Sequence, residues 1–572
     1  MVLFRLSVVL LVSSSLVLLL RADDFSCPVK SITKDNGVTG TIPAGATSMV
    51  RVPANTNCTY TFEIPKGFAL KVDTLSQYDA SPGDSIIYDD FFMSSPMNNL
   101  IYAVNKELLI KVYSISGNLT FIANYTYIDM TNYEQVIKPT GAYFNATLEK
   151  NKYYTVQAPA GDQVVLKFGE IDNGVYDSTI SDVFVFDGND IFDAKYLGRF
   201  SELCKKPDYK VTSTSNTITL LNLYGTPSYS LFLGNDASAV DHMDQYGVYV
   251  IESNKDLHGY MDLFNDYSES WNTVICDGCT SFSIESLQFD PRWKAANGYV
   301  EIQGMTPTQK LSPFLKYPYS TDNNSSFPQL ITSSMATFHI YNTSIELVVR
   351  PGTQQAGFAA SPGQSTYIYS PQLMDPDVSP KFDYNFSDYS NPSGIYNFSI
   401  NLQIIELEND GDELDVKVFS EEGLATLNKT YTKTKMNNQF MSGMGHTLNM
   451  KYTGSKNSEV ILNLKMIDLS NNSSSPTTEG ITNGTTITTI STETPATSTD
   501  TKYFSTSSAI KTTMTAISTG TPVTSIDTTH FSTSSTVGSR ATRIVVEATT
   551  KGGAAFIYSS ALLMSVISSL IN

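Results

Sequence analysis

The chain has 572 residues, a formal net charge of -19 and only 16% charged residues, with 33 Tyr and 29 Phe. That length suffices for three or four domains, and the acidic balance excludes a nucleic-acid surface, which needs a basic footprint. Tyr, Phe, Thr, Ser and Val suit pleated, half-buried surfaces, and no stretch carries a long, capped helical period. The chain therefore reads as all-β.

Residues 1–22 form a secretory signal: Arg5 supplies the positive start, Leu6 to Leu20 the apolar core, and Ala22 a small residue at the cleavage position. The apolar run is short for a membrane anchor, and Asp23-Asp24 follows at once. Secretion places the chain in an oxidising environment, where disulfides persist.

The segment from Val50 to Asp90 is the most legible. Tyr60, Phe62 and Ile64 alternate with small or polar residues, the period of a half-buried strand. Pro65-Lys66-Gly67 breaks the run, and Phe68, Leu70 and Val72 resume it, so two strands are joined by a short turn. Pro82-Gly83 makes a second turn, and Ser85 to Tyr88 a third strand.

Several spaced motifs in this region agree in order with a known family. They are Cys27, Gly40-Thr-Ile-Pro-Ala-Gly45, Val52-Pro-Ala-Asn55, Cys58-Thr-Tyr-Thr-Phe62, Ile64-Pro-Lys-Gly67 and Gly83-Asp-Ser-Ile86. Together they resemble the nematode CUB-like domain family over about residues 25–128. The resemblance implies an extracellular antiparallel β-sandwich of jelly-roll type and a link to innate defence. It names no ligand.

Five cysteines remain to be paired. Cys27 and Cys58 lie in one domain and are expected to bond. A closed loop of that size stabilises the fold by roughly 3 kcal/mol in the chain-entropy model. Cys276-Asp-Gly-Cys279 lacks the two further ligands of a zinc site and the βαβ setting of a redox motif. A structural disulfide is expected, in which these two bond each other or one of them bonds Cys204. Either pairing leaves one thiol over.

Asn-x-Ser/Thr acceptors occur at Asn118, Asn124, Asn145, Asn323, Asn324, Asn342, Asn385, Asn397, Asn428, Asn471, Asn472 and Asn483, and also at Asn57 beside Cys58. Their spread fits a secreted ectodomain.

Beyond the first domain a faint repeat recurs. Phe68 to Asp89, Gln163 to Gly188, Thr280 to Gly304 and Tyr396 to Ser420 each hold an alternating strand, a polar loop and a second strand. The spacing of roughly 110 residues suits a sandwich. The expected organisation is a CUB-like domain at 23–128 and three further β-sandwiches at 129–240, 241–355 and 356–468. A glycosylated Ser/Thr-rich stalk follows at 469–552, then a hydrophobic tail at 553–572.

Two kinds of chemistry have candidate residues. Asp79, Asp84 and Asp89 are candidate Ca²⁺ ligands in the first unit, with Asp172, Asp182 and Asp187 in the second and Asp410, Asp412 and Glu413 in the fourth. The alternative is solvated turn chemistry, which favours the same residues, so no cofactor is expected. Gly83-Asp84-Ser85-Ile86 resembles the block holding the nucleophile of GDSL-type lipases, but that serine needs a histidine and an acid. The one Asp-x-x-His is Asp527-Thr-Thr-His530, in low-complexity sequence. His242, His258, His339 and His446 sit in unrelated contexts. No enzyme is expected.

After Leu469 the chain turns rich in Ser and Thr, cannot bury enough apolar surface to order itself, and reads as a disordered O-glycosylated stalk. Fully stretched, roughly 65 residues reach about 200 Å. Phe556 to Ile571 is apolar, with no basic flank after it, which is the form of a GPI signal; a retained transmembrane helix is the alternative. Gly538 or Ser539 leaves a normal spacer to that tail, and Gly552 almost none. The expected protein is a GPI-anchored surface glycoprotein that binds or shields against an extracellular protein, glycan or microbial ligand. The competing classes are a surface hydrolase using Ser85 and a passive mucin-like coat.

Overall fold

The computed structural model describes residues 25–469, apart from 79–82, 89–90, 94–97, 171–176, 205–209, 264–267, 294–296, 321–323, 353–361, 389–390 and 392. The signal, the stalk beyond 469, the tail, Asn471, Asn472, Asn483, Gly538, Ser539, Gly552, Asp527 and His530 lie outside the described residues, as does Asn323. Among the described residues no helix is long and apolar enough to cross a membrane.

Nine strands build the first sandwich: β1 (Thr39–Ile42), β2 (Val50–Arg51), β3 (Thr56–Glu63), β4 (Phe68–Gln77), β5 (Ser85–Tyr88), β6 (Phe91–Met93), β7 (Asn98–Ala103), β8 (Glu107–Ser114) and β9 (Thr120–Asp129). One sheet runs β1-β9-β4-β7 with β2 also on β9, and the facing sheet runs β3-β8-β5-β6. The period-two pattern turns Tyr60, Phe62, Leu70, Val72, Ile86 and Val112 inward, and all are buried. The Pro65-Lys66-Gly67 turn does join β3 to β4, but these strands do not pair with each other. β3 pairs with β8 and β4 with β7 and β9, so the turn carries the chain from one sheet to the other. Cys27 and Cys58 are bonded, which ties the entering segment to β3.

The same strand order recurs three more times. In the fourth sandwich, Ser365–Tyr369, Glu459–Asp468, Tyr396–Glu406 and Lys435–Gly445 form one sheet. Phe382–Ser387, Thr447–Tyr452, Glu413–Phe419 and Ala425–Thr432 form the other. The second and third sandwiches add one outer strand each. Glu134–Pro139 runs parallel to Lys152–Gln157, and Tyr246–Glu252 runs parallel to Glu269–Asp277. These two pairs depart from the antiparallel pattern expected from the sequence. The chain is nearly all β in these antiparallel, jelly-roll-type sheets.

Consecutive sandwiches are fused through their outer faces. Between the first and second, Ala69, Tyr102 and Met130 pack on Phe184, Phe186, Ile191 and Leu221. Arg199 pins this seam: it donates to the Ser181 carbonyl at 2.9 Å, and to the Tyr102 carbonyl and the Tyr224 hydroxyl at 3.1 Å each. Its guanidinium also lies 4.9 Å from the Phe184 ring centre. Between the second and third, Val165, Leu231, Leu233 and Val240 meet Tyr246, Val250, Ile275 and Met335. A buried polar chain crosses the same seam from Asn235 to the Tyr246 hydroxyl (3.1 Å), then to Thr273 (2.8 Å) and Thr337 (2.9 Å). Between the third and fourth, Tyr369, Met374 and Ile461 complete the core of the third, and Gln329 bonds both the amide and the carbonyl of Tyr367.

With covers on both sides, the second sandwich has strands with no solvent face. All six residues of Thr217–Asn222 and all seven of Ser230–Asp236 are buried. Replacing Arg199 with Ala leaves two carbonyls of the seam without their charged donor, a loss of about 1–3 kcal/mol. The expected outcome is faster hydrogen exchange in Asn98–Ala103 and Thr217–Asn222. Arg350→Ala, at an exposed ion pair with Asp256 and Glu285, is expected to leave both strands unchanged.

Candidate binding surface

Each sandwich holds a buried aspartate between its equivalent inner strands, and in the first, second and fourth that aspartate clamps a later loop. Asp84, just before β5, accepts from the Ile115 amide at 2.7 Å, the Ser116 amide at 3.0 Å and the Ser116 hydroxyl. Asp177 accepts from the Ser228 hydroxyl (2.6 Å), the Tyr229 amide (3.0 Å) and the Ser230 hydroxyl (2.8 Å), and its other oxygen caps Thr179. Asp412 accepts from the Ser455 amide (2.9 Å), the Asn409 amide (3.0 Å) and the Ser458 hydroxyl. Asp290 is held by Arg292 and Tyr260. Burial raises the pKa of Asp84, Asp177 and Asp412, but the serine, threonine and amide donors outweigh it and hold all three below the ordinary carboxylate value.

Two of these clamps, Asp84 and Asp412, use carboxylates singled out for calcium. Asp79, Asp89 and Asp172 lie outside the described residues. Asp182 accepts from Thr226 at 2.6 Å, and burial pushes its pKa up. Asp187 accepts from the Thr214 amide and hydroxyl, and Asp410 pairs with Lys433 at 2.9 Å. Glu413 opens its strand, and its carbonyl accepts from the Thr453 amide. Among the described residues no three acidic, His or Cys side chains gather as a metal site.

Ser85 is a buried residue of β5, paired with Tyr113 on β8. The sequence places no histidine before His242, so the sandwich that holds Ser85 contains none. Cys276 bonds Cys279 at the end of Glu269–Asp277, and Cys204 is free and buried. Burial pushes the Cys204 thiol up to about 12, which keeps it protonated and unreactive. Of the glycosylation acceptors, Asn57, Asn118, Asn124, Asn145, Asn385 and Asn428 are exposed, and Asn342 and Asn397 are half-buried. Asn324 lies in a short 3-10 turn.

A surface that the motif reading missed lies on the outer face of the third sandwich, beside the second-to-third seam. Cross-strand pairing aligns Trp271 with His339, His339 with Glu301, and Glu301 with Lys316. The Trp271 and His339 rings stack with centres 3.9 Å apart. His339 Nε2 lies 3.0 Å from Glu269 and Nδ1 lies 3.6 Å from Glu301. Both ring nitrogens thus face carboxylates rather than a nucleophile. Lys316 pairs with Glu301 at 2.6 Å and sits 3.8 Å over the Tyr299 ring, which stacks on Tyr341. The Trp271 indole N–H is buried and meets no acceptor among the described residues.

The band continues onto the second sandwich. His242 stands edge-on to Trp271, and beyond it a cleft of about 230 Å³ is lined by Lys167, Lys210, Asp241, Asp244 and Tyr246. Rings, carboxylates and amines in one strip suit a polyhydroxylated ligand, whose C–H faces stack and whose hydroxyls bond. The sequence did carry a signal. Glu269/Trp271, Tyr299/Glu301 and His339/Tyr341 are each two apart on a strand, which puts each pair on one face. Only strand register brings the three pairs together.

Residues 22–131 match the family described as CUB-like domain. No curated protein matches the chain. Among solved structures, the CUB1-EGF-CUB2 domain of human MASP-1/3 covers 35% of this chain and 100% of its own, at 14% identity and TM-score 0.13. The same region of rat MASP-1 covers 36% and 99%, at 10% identity and TM-score 0.14. The extracellular region of zebrafish Gpr126/Adgrg6 covers 57% and 53%, at 8% identity and TM-score 0.16. A CUB-like domain points to an extracellular binding module, and no enzyme family is indicated.

The aspartate clamps set an acid limit. A carboxyl whose folded value is depressed contributes stability that is complete above its unfolded value and is lost as pH falls through the folded one. Unfolding by near-UV circular dichroism is therefore expected to begin below about pH 4. Asp177→Asn keeps the size but not the charge. It is expected to lower stability at pH 7 and to flatten the acid limb.

Proposed function

We propose that this chain is a non-enzymatic surface glycoprotein that recognises a microbial glycan in innate defence, carried on a Ser/Thr-rich stalk and held at the outer face of the plasma membrane by a GPI anchor. The observation that carries the binding role is the row Trp271–His339–Glu301–Lys316, buried at His339 and exposed at Lys316, with the half-buried Tyr299 and Tyr341 beside it. Its lysine and histidine face the carboxylates of Glu301 and Glu269, and among the described residues no hydroxyl or thiol bonds the His339 ring. The fused sandwiches hold this row on strands rather than on loops, so little order has to be gained on binding. The buried setting of Ser85 supports the same reading, and no cofactor is needed for it. The apolar C-terminal tail supports the anchor.

The test uses the full chain displayed on expressing cells. A phosphatidylinositol-specific phospholipase is expected to release it. Retention with the last 20 residues still present by mass spectrometry rejects the anchor. The released protein, applied to arrayed microbial polysaccharides, is expected to bind with and without a chelator. Tyr299→Ala and Trp271→Ala are each expected to weaken binding roughly tenfold, about 1.4 kcal/mol. Binding unchanged in both variants removes the surface from the proposal. Labelling by a serine-reactive probe that disappears in Ser85→Ala overturns the non-enzymatic reading.

A further inference from the structure

The fourth sandwich carries an uncovered apolar patch on the outer face of its Tyr396–Glu406 sheet. Ile395 is 50% exposed and Met444 62%, and Ile467 beside them is half-buried. Soluble proteins rarely leave such neighbours open unless something covers them. Asn397 lies at the centre of this patch. Strand register sets it directly opposite Met444 on one side and Ile467 on the other, with Ile395 two residues before it on the same face. The chain keeps that pairing up to Ile395, whose carbonyl accepts from the Leu469 amide at 3.1 Å.

Asn397 is also a glycosylation acceptor, Asn397-Phe398-Ser399. Phe398 turns into the core, so Asn397 and Ser399 share the outer face. The Asn397 side-chain amide makes no hydrogen bond among the described residues. The next pairs on the face are mostly polar: Ser399 stands opposite Ser442 and Lys465, and Asn401 opposite Asn463, with the exposed Phe440 on its other side. A pyranose has an apolar C–H side and a hydroxyl rim, and this face offers apolar side chains around the acceptor and a polar row beyond them.

We propose that an N-linked glycan on Asn397 lies against Ile395, Met444 and Ile467 and serves as the cover of this patch. The sugar is then part of the fourth sandwich's packing rather than a solvent-directed decoration. The attachment joins the Asn397 side-chain nitrogen to the first N-acetylglucosamine, displacing the lipid diphosphate of the donor used in the secretory pathway. The inference rests on the secretory reading given above. Asn428 offers an internal contrast: it is exposed on Ala425–Thr432 and stands opposite Lys417.

The experiment expresses the full chain in secreting animal cells and maps glycopeptides by mass spectrometry. Asn397 is expected to carry a glycan. Asn397→Gln and Ser399→Ala, which remove the acceptor by different residues, are each expected to raise binding of a hydrophobic dye at pH 7, while Asn428→Gln leaves it unchanged. Adding Ile395→Ser and Met444→Ser to Asn397→Gln is expected to return dye binding to the starting level. Glycan at Asn428 or Asn385 but not at Asn397 overturns the inference and leaves the secretory reading intact. So does an occupied Asn397 whose loss does not change dye binding. Absence of glycan from every acceptor overturns both.

Discussion

Thr217–Asn222 and Ser230–Asp236 are strands without a wet side. A β-sandwich normally turns one face of each sheet to solvent, and its strands alternate accordingly. Here the second sandwich is covered by Tyr102 and Met130 on one face and by Tyr246, Val250 and Met335 on the other. Burial of both faces makes each sandwich depend on its neighbours. It also explains why Arg199 is used as a pin. A lone guanidinium at an apolar seam is tolerable only when its donors are taken up and its plane is stacked, and both conditions hold.

The aspartate clamps work inside each sandwich as the seams work between them. Asp84, Asp177 and Asp412 each hold a later loop by two or more donors, so the ends of the sandwiches are braced rather than left loose. Braced loops and fused faces together leave the half-buried outer-face side chains of the third sandwich as fixed features. The row from Trp271 to Lys316 is held by register at every step.

What could be read from the sequence was local. Alternation at Tyr60, Phe62, Leu70 and Val72 showed both strands and their inward faces, and the spaced motifs around Cys58 pointed to the CUB-like domain that the family match covers. Pairing was not legible. Two strands joined by a three-residue turn look like a hairpin, yet β3 and β4 belong to different sheets. The partner of Asp84 lies about thirty residues downstream and that of Asp177 about fifty, separations at which composition says nothing. Fully buried strands also resemble any short apolar run, because the period disappears when both faces are covered. Trp271, His339 and Glu301 are far apart in the chain and adjacent only through register.

The joints themselves have one more property. Segments linking domains are usually where proteases cut, since they are exposed and poorly packed. At these joints Met130, Ala237, Val240 and Met243 are buried in the seams they connect. A digestive enzyme finds little to grip at the first-to-second and second-to-third joints, and a single nick there would leave the fragments clasped together. Endurance of that kind comes directly from where the apolar residues were put.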